Sequence, residues 1–173
     1  EKSEWNDYCK KISEISNRLY NEGMPMSYHE HMGTIIQTEE DVDKFIDKTN
    51  DNTFLLYDTG HLLFGQADYQ KILKNYITRI NHIHCKDIRK DILQKSLKND
   101  LSFRNSFLEG VFTVPGDGCI DYIPLIKILF ENKYSEWVVI EAEQDPIKAN
   151  PFEYAKIGFN YLSKIVSDTG YEI

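Results

Sequence analysis

The sequence predicts an α/β fold, and more narrowly the C-terminal half, about strands 5 to 8, of a (β/α)8 barrel. Helical patterns alternate with short apolar runs in the order α-βα-βα-βα-βα, which indicates a parallel sheet with right-handed crossovers. Each apolar run ends in histidine or carboxylate residues, a feature of barrels whose functional groups lie at the carboxyl ends of their strands. Four strands cannot close such a barrel, which takes eight strands and about 250 residues.

These observations predict one partial barrel domain over residues 1–173, without the N-terminal half. A four-stranded parallel sheet on its own leaves both edge strands with unpaired backbone groups. We therefore expect the chain to be a homo-oligomer in which these edges are covered.

The first half of the chain predicts two helices and two strands. Apolar residues recur at three- and four-residue steps over residues 5–19, which indicates a helix, and a strand is predicted over residues 26–31. The segment Thr38-Glu39-Glu40-Asp41 resembles a capping box and predicts the start of the second helix. Residues 53–57 are apolar without alternation, as in a parallel strand covered on both faces.

The second half predicts a helix over residues 72–77, a strand from Ile80, a helix after Asp121, a strand at Trp137 and a terminal helix from Asn150-Pro151. Between the two strands, residues 88–110 carry two short helical patterns and many charges, and residues 110–118 predict a loop. This excursion is long for a βα connection, so we interpret it as a lid or a substrate-contacting insertion.

Composition excludes several classes of protein. A formal net charge of −8 and a pI of about 5.1 argue against nucleic acid or an anionic membrane as partner. No apolar run reaches the roughly 18 residues of a membrane span. Three cysteines without CxxC spacing fit free thiols in a reducing compartment, so we expect a cytoplasmic protein.

Polar residues at the four strand ends predict one metal site. They are His29 and His31, Asp58 and His61, His82, His84, Lys86 and Asp87, and Glu141 and Glu143. A mixed set of nitrogen and oxygen ligands suits Mn²⁺ or Co²⁺. For Lys86, an ion pair with Asp87 or Glu143 is the structural alternative to a catalytic role.

Five motifs in this order resemble the inosose dehydratase family of the xylose-isomerase-like barrels: residues 28–34, 56–61, 82–87, 112–121 and 141–146. The resemblance covers residues 26–160 and only the second half of the family's barrel. It implies a divalent metal held by His29, Asp58, His84 and Glu141. His29 stands where the wider superfamily has glutamate, and His31 is its competitor. Glu30 replaces a histidine of the family motif, and we expect it to be tolerated on the opposite face of the strand.

The resemblance also implies an activity. It is that of a metal-dependent hydro-lyase that dehydrates 2-keto-myo-inositol (scyllo-inosose), a polyol ketone, to a trihydroxycyclohexane-dione in myo-inositol catabolism. Glutathione is a candidate additional cofactor by the same resemblance. Such a reaction needs a base, for which Glu141 and Glu143 are candidates, and an acid, for which His61 and Lys86 are candidates. The alternatives are a keto-sugar isomerase or epimerase of the same superfamily, and an inactive metal-binding half-barrel.

Overall fold

A four-stranded parallel sheet organises the structure, a computed structural model that describes residues 2–171. The helices are α1 (Lys2–Asn21), α2 (Glu39–Lys48), α3 (Thr59–Phe64), α4 (Tyr69–Tyr76), α5 (Lys90–Lys98), α6 (Phe103–Glu109), α7 (Tyr122–Glu131) and α8 (Pro151–Thr169), with a short 3-10 helix at Ile77–Arg79. The strands are β1 (Ser27–His29), β2 (Phe54–Asp58), β3 (Ile80–Cys85), β4 (Asp87–Ile88), β5 (Phe112–Thr113) and β6 (Trp137–Ile140).

The sheet has the strand order β1-β2-β3-β6, and every neighbouring pair is parallel. Parallel pairing brings the carboxyl ends of all four strands to one edge of the sheet. In this register Asp58 lies beside His84, and the amide of Glu141 donates to the carbonyl of Cys85. The predicted alternation of helices and parallel strands is therefore confirmed.

The two faces of the sheet differ in burial. Leu55, Tyr57 and Ile83 are almost fully buried on the face that the helices cover. On the other face Leu56 and His82 are only half-buried, so the prediction that residues 53–57 are covered on both faces is wrong for the described residues. A barrel interior needs side chains from all its strands to fill it, and four strands supply only part of them.

Local signals placed several helices correctly. The capping box is present, since the amide of Asp41 donates to Thr38 Oγ1 and the Asp41 carboxylate accepts from the Thr38 amide. Asn150 caps α8, with Pro151 in its first turn. The two helical patterns of the excursion correspond to α5 and α6.

Three details differ from the prediction. Strand β1 ends at His29, so His31 lies beyond it. His61 lies in the first turn of α3, where Asp58 starts a helix directly after the strand. The predicted loop contains β5, which pairs antiparallel with β4 and closes the excursion at its base. None of the described helices is long and apolar enough to cross a membrane.

Candidate metal centre and active site

Four side chains converge at the carboxyl edge of the sheet. His29 Nε2 lies 3.4 Å and His84 Nδ1 3.6 Å from Asp58 Oδ2. Glu141 Oε2 approaches His84 Nδ1 to 2.8 Å. The ligand atoms of His29, Asp58 and His84 all lie within 4.8 Å of one another, a spacing that a single metal ion can bridge.

The same four atoms are held by close charge contacts rather than by well-formed hydrogen bonds. His29 Nε2, Asp58 Oδ2, His84 Nδ1 and Glu141 Oε2 are buried and make no hydrogen bond of acceptable geometry among the described residues. Buried polar atoms are normally satisfied, because leaving one unpaired costs about 1–3 kcal/mol. Three of them, from His29, Asp58 and His84, lie close enough to share one divalent cation, and Glu141 Oε2 lies beside them.

Asp58 has a separate role for each oxygen of its carboxylate. Its Oδ1 accepts from the amides of Gly60 and His61, both at 2.9 Å, and so caps α3. Its Oδ2 faces the ligand cluster. The cap fixes the carboxylate plane, and with it the direction of the second oxygen.

Glu30 is a residue whose contribution the sequence did not reveal. It is buried, at 2% exposure, and its Oε1 accepts from the Asp58 amide at 2.9 Å. Burial, reinforced by the Asp58 charge, raises the pKa of Glu30 well above its usual value. We expected only that Glu30 would be tolerated; in the structure it also holds the backbone of Asp58. A charged residue between two histidines was the only signal in the sequence.

Lys86 lies at the centre of the charged groups and is fully buried. Its ammonium nitrogen is 2.8 Å from His61 Nε2 and Glu143 Oε2, 3.0 Å from Glu141 Oε2 and 3.2 Å from Asp58 Oδ2. Burial lowers the pKa of Lys86, but the surrounding carboxylates outweigh it and raise the pKa. Of the two ion pairs considered as the structural alternative for Lys86, the one with Glu143 is present. Asp87 does not pair with Lys86 in this way, and its Oδ1 accepts from the amides of Ile88 and Ile120.

A second group of potential ligands adjoins the first. His31, His61 and Glu143 each offer one atom within 4.8 Å of the others, and the two histidine rings lie 3.7 Å apart between centroids. Burial lowers the pKa of His61, which keeps its ring neutral. Burial raises the pKa of Glu143, but the neighbouring His61 ring and the Lys86 ammonium outweigh it and bring the pKa to about 2.

Protonation of His84 opposes metal binding at the first group. Burial lowers its pKa, but Asp58 and Glu141 outweigh this and raise it to about 9. A metal must therefore displace a proton from His84, since only the neutral ring can be a ligand.

Aromatic rings from the excursion cover the site. Phe103, at the start of α6, lies 5.2 Å from the His31 ring and 5.9 Å from the His61 ring. Phe112 of β5 lies 5.1 Å from the Lys86 ammonium nitrogen. These rings exclude water from one side of the charged groups, which strengthens their mutual electrostatics.

The structure thus brings together eight of the ten strand-end side chains that the sequence singled out: His29, His31, Asp58, His61, His84, Lys86, Glu141 and Glu143. Asp87 instead accepts from the Ile88 and Ile120 amides, and the His82 ring lies beside that of His84. Their assignment as ligands, base and acid stays a prediction. A cluster of polar side chains at the carboxyl ends of parallel strands is the arrangement of the active sites of (β/α)-barrel enzymes.

The chain belongs to the xylose isomerase-like TIM barrel family, whose sequence profile matches residues 1–165. It is similar to the inosose dehydratase of Bacillus velezensis, with 44% identity over 166 residues that cover 95% of this chain and 56% of that protein. The chain spans about half the length of the curated relatives it matches.

Solved structures show the same fold. A probable 3-DHS dehydratase of Bacillus anthracis, AsbF, matches with a TM-score of 0.74 at 16% identity, over 94% of this chain and 58% of that one. The IOLI protein with a bound zinc atom matches with a TM-score of 0.68 at 19% identity, over 95% and 56%. At these identities the likeness supports the fold alone.

Proposed function

We propose that the chain carries the metal centre of a hydro-lyase that dehydrates 2-keto-myo-inositol to a trihydroxycyclohexane-dione. The observation that carries this proposal is the convergence of four buried ligand atoms that make no well-formed hydrogen bond, from His29, Asp58, His84 and Glu141. The similarity to inosose dehydratases supplies the substrate class, a cyclic polyol ketone.

The donor set favours Mn²⁺ or Co²⁺, because it combines imidazole nitrogens with carboxylate oxygens and includes no thiolate. Bound there, such an ion supplies Lewis acidity that polarises the substrate carbonyl. The chain's own residues then have to remove the proton next to that carbonyl and protonate the departing hydroxyl.

Glu141 is the better candidate for the base. Burial raises the pKa of both carboxyls, but contacts outweigh it: His84 and Lys86 lower the pKa of Glu141, and His61 and Lys86 lower that of Glu143 to about 2. The choice between them therefore rests on position, since Glu141 lies beside the ligand atom of His84. A carboxylate that binds a metal through one oxygen keeps the other free to accept a proton. The base role therefore belongs to Glu141, with Glu143 holding Lys86 in place.

Lys86 is the better candidate for the acid. Its pKa is raised by the surrounding carboxylates, so it carries a proton at neutral pH. His61 is held neutral by burial, and its Nε2 accepts from the Lys86 ammonium. Proton delivery to the leaving hydroxyl belongs to Lys86, and His61 orients it.

Elimination fits this site better than epimerisation. Epimerisation needs a second proton carrier on the opposite face of the substrate. The imidazole of His29 has no free lone pair once it binds a metal through Nε2, because its Nδ1 then carries the proton. A site with one competent carboxylate base favours loss of water.

The chain corresponds, in this proposal, to the last four strands of an eight-stranded barrel. The outer edges of β1 and β6 pair with no strand among the described residues, and Trp137 at the β6 edge is 73% exposed. Association with further strands, in a homo-oligomer, covers these edges.

The free state of Cys9, Cys85 and Cys119 supports a cytoplasmic location. Glutathione stays a candidate cofactor.

The test is the fate of 2-keto-myo-inositol with the purified protein and Mn²⁺ or Co²⁺ in deuterated water. The proposal expects a diketone product and no interconversion of ketose epimers. Glu141→Gln should abolish dehydration, while His29→Glu should introduce some proton exchange. Rapid epimerisation without a diketone would replace the dehydratase by the keto-sugar epimerase, and metal binding without turnover would leave a metal-binding half-barrel.

A further inference from the structure

The Lys86 ammonium group occupies a cage of ligand atoms. Four potential ligands of a cation surround it at 2.8 to 3.2 Å: His61 Nε2, Glu143 Oε2, Glu141 Oε2 and Asp58 Oδ2. Two of these atoms belong to the first ligand group and two to the second. The ammonium nitrogen therefore lies between two possible metal positions.

The second ligand group has the chemistry of a metal site. His31 Nδ1 lies 2.7 Å from the Met32 carbonyl, which can only accept, so the proton is on Nδ1 and the lone pair on Nε2. His61 Nε2 also carries a lone pair, because it accepts from the ammonium group. With a Glu143 oxygen, the group offers two nitrogens and one oxygen, the same set as His29, Asp58 and His84.

The ammonium group competes with a divalent ion most strongly at the second group, because it lies nearer to two atoms of that group, at 2.8 Å, than to Glu141 Oε2 and Asp58 Oδ2, at 3.0 and 3.2 Å. Ligand distances to such an ion are about 2.0–2.2 Å. His61 Nε2 and Glu143 Oε2 are 3.4 Å apart and each lies 2.8 Å from the Lys86 nitrogen. An ion bound to both atoms would therefore lie within about 3.5 Å of a fixed positive charge.

Charge balance favours one divalent ion beside Lys86. The carboxylates of Asp58, Glu141 and Glu143 carry three negative charges, and Lys86 supplies one positive charge. One divalent ion makes the cluster neutral, whereas two would leave it with a net charge of +2 in a buried place. Uncompensated buried charge is costly.

The backbone holds Lys86 in this position. Thr59 Oγ1 donates to the Lys86 carbonyl at 2.7 Å and accepts from the Lys86 amide at 3.1 Å. A Cβ at Gly60 would lie 2.7 Å from Lys86 Cγ, so glycine leaves room for the lysine stem to pass over the start of α3.

We infer that Lys86 is a built-in monovalent cation that takes the place of a second divalent ion, and that its removal turns His31, His61 and Glu143 into a second metal site. The inference goes beyond the proposed single-metal centre and rests on it only for the first ion. Lys86 thereby sets the metal content of the site at one.

The experiment is a Co²⁺ titration of the purified chain and of Lys86→Met, with metal content measured after gel filtration and Co²⁺ coordination followed by visible absorption. The unsubstituted chain should bind one equivalent and stay at one in tenfold excess. Lys86→Met should bind two, with a new absorption band for the second ion. The double variant Lys86→Met/His31→Ala should return to one, and Lys86→Met/His84→Ala should also bind one, now at the second group.

Each outcome separates this inference from the proposed function. No Co²⁺ bound by the unsubstituted chain would overturn the first metal site. If the unsubstituted chain and Lys86→Met each bind one equivalent of Co²⁺, and circular dichroism shows that Lys86→Met is folded, the inference about Lys86 is overturned while the first metal site stands. Two equivalents in the unsubstituted chain would also overturn it, and that measurement needs no variant. Lys86→Gln repeats the test with a shorter neutral side chain.

Discussion

Asp58 is the residue at which metal binding and helix capping can be separated by experiment. Asp58→Asn keeps an oxygen that can accept from the Gly60 and His61 amides, as Oδ1 does now. The substitution replaces Oδ2, the atom that faces the ligand cluster, by an amide nitrogen without a lone pair for a metal. Asp58→Ala removes both functions.

The expected loss can be expressed as a change in the metal-induced stabilisation. Loss of an outer partner of a ligand weakens metal binding about 10- to 100-fold, so loss of a ligand should cost at least about 100-fold. At a metal concentration 100 times the dissociation constant, binding stabilises the chain by about 2.7 kcal/mol, and a 100-fold weaker site keeps about 0.4 kcal/mol. The difference corresponds to a loss of about 5–9 °C in the metal-induced rise of Tm.

The assay is thermal unfolding in chelator and in Mn²⁺ or Co²⁺. Asp58→Asn should lose most of the metal-induced rise of Tm while keeping, in chelator, a higher Tm than Asp58→Ala. Asp58→Ala should show the same loss and a lower Tm in chelator, because an absent cap costs about 0.5–2 kcal/mol. An unchanged metal-induced rise in Asp58→Asn would refute the ligand assignment, and equal Tm values of the two variants in chelator would refute the capping argument.

Three further predictions follow from packing. Gly60→Ala should lower the free energy of unfolding by about 1–3 kcal/mol, because its Cβ clashes with the Lys86 side chain. Part of this cost should vanish in a Lys86→Ala background, which lacks Cγ and Cδ. If the losses of the two single variants add fully in the double variant, the contact is excluded. Glu30→Leu should lower the free energy of unfolding by about 1–3 kcal/mol more than Glu30→Gln, because only glutamine keeps an acceptor for the Asp58 amide. Chemical denaturation measures the stability of both variants, and equal losses would contradict the role of this hydrogen bond. Sedimentation should show a dimer or larger assembly that Trp137→Lys weakens, since this exposed side chain lies at an open sheet edge; a stable monomer at micromolar concentration would exclude the assembly.

The fold was predictable because its signals are local and periodic. The capping box at Thr38, the cap at Asn150 and the apolar run of β2 each specify an element without reference to the rest of the chain. Parallel pairing then follows from the alternation of elements, and it brings the strand ends together. The polar residues at those ends were visible as a site for the same reason.

The relations between these residues were less predictable, because they depend on side-chain direction. Nothing in the spacing of Lys86 indicates that its ammonium group would reach four ligand atoms, which requires the passage over Gly60. Glu30 was interpreted from strand alternation as lying on the opposite face, but β1 ends one residue earlier and alternation does not extend beyond a strand. The helix that contains His61 depends on the Asp58 cap, a contact between a strand end and the next two amides.

The shared carboxylate of Asp58 gives the site an internal reporter. Its two oxygens belong to one conjugated group, so a cation that draws electron density toward Oδ2 makes Oδ1 a poorer acceptor for the Gly60 and His61 amides. The proton chemical shifts and hydrogen-exchange rates of those two amides should therefore follow occupancy of the centre. Nuclear magnetic resonance on ¹⁵N-labelled protein can then detect spectroscopically silent ions such as Zn²⁺ and Mg²⁺ through the backbone.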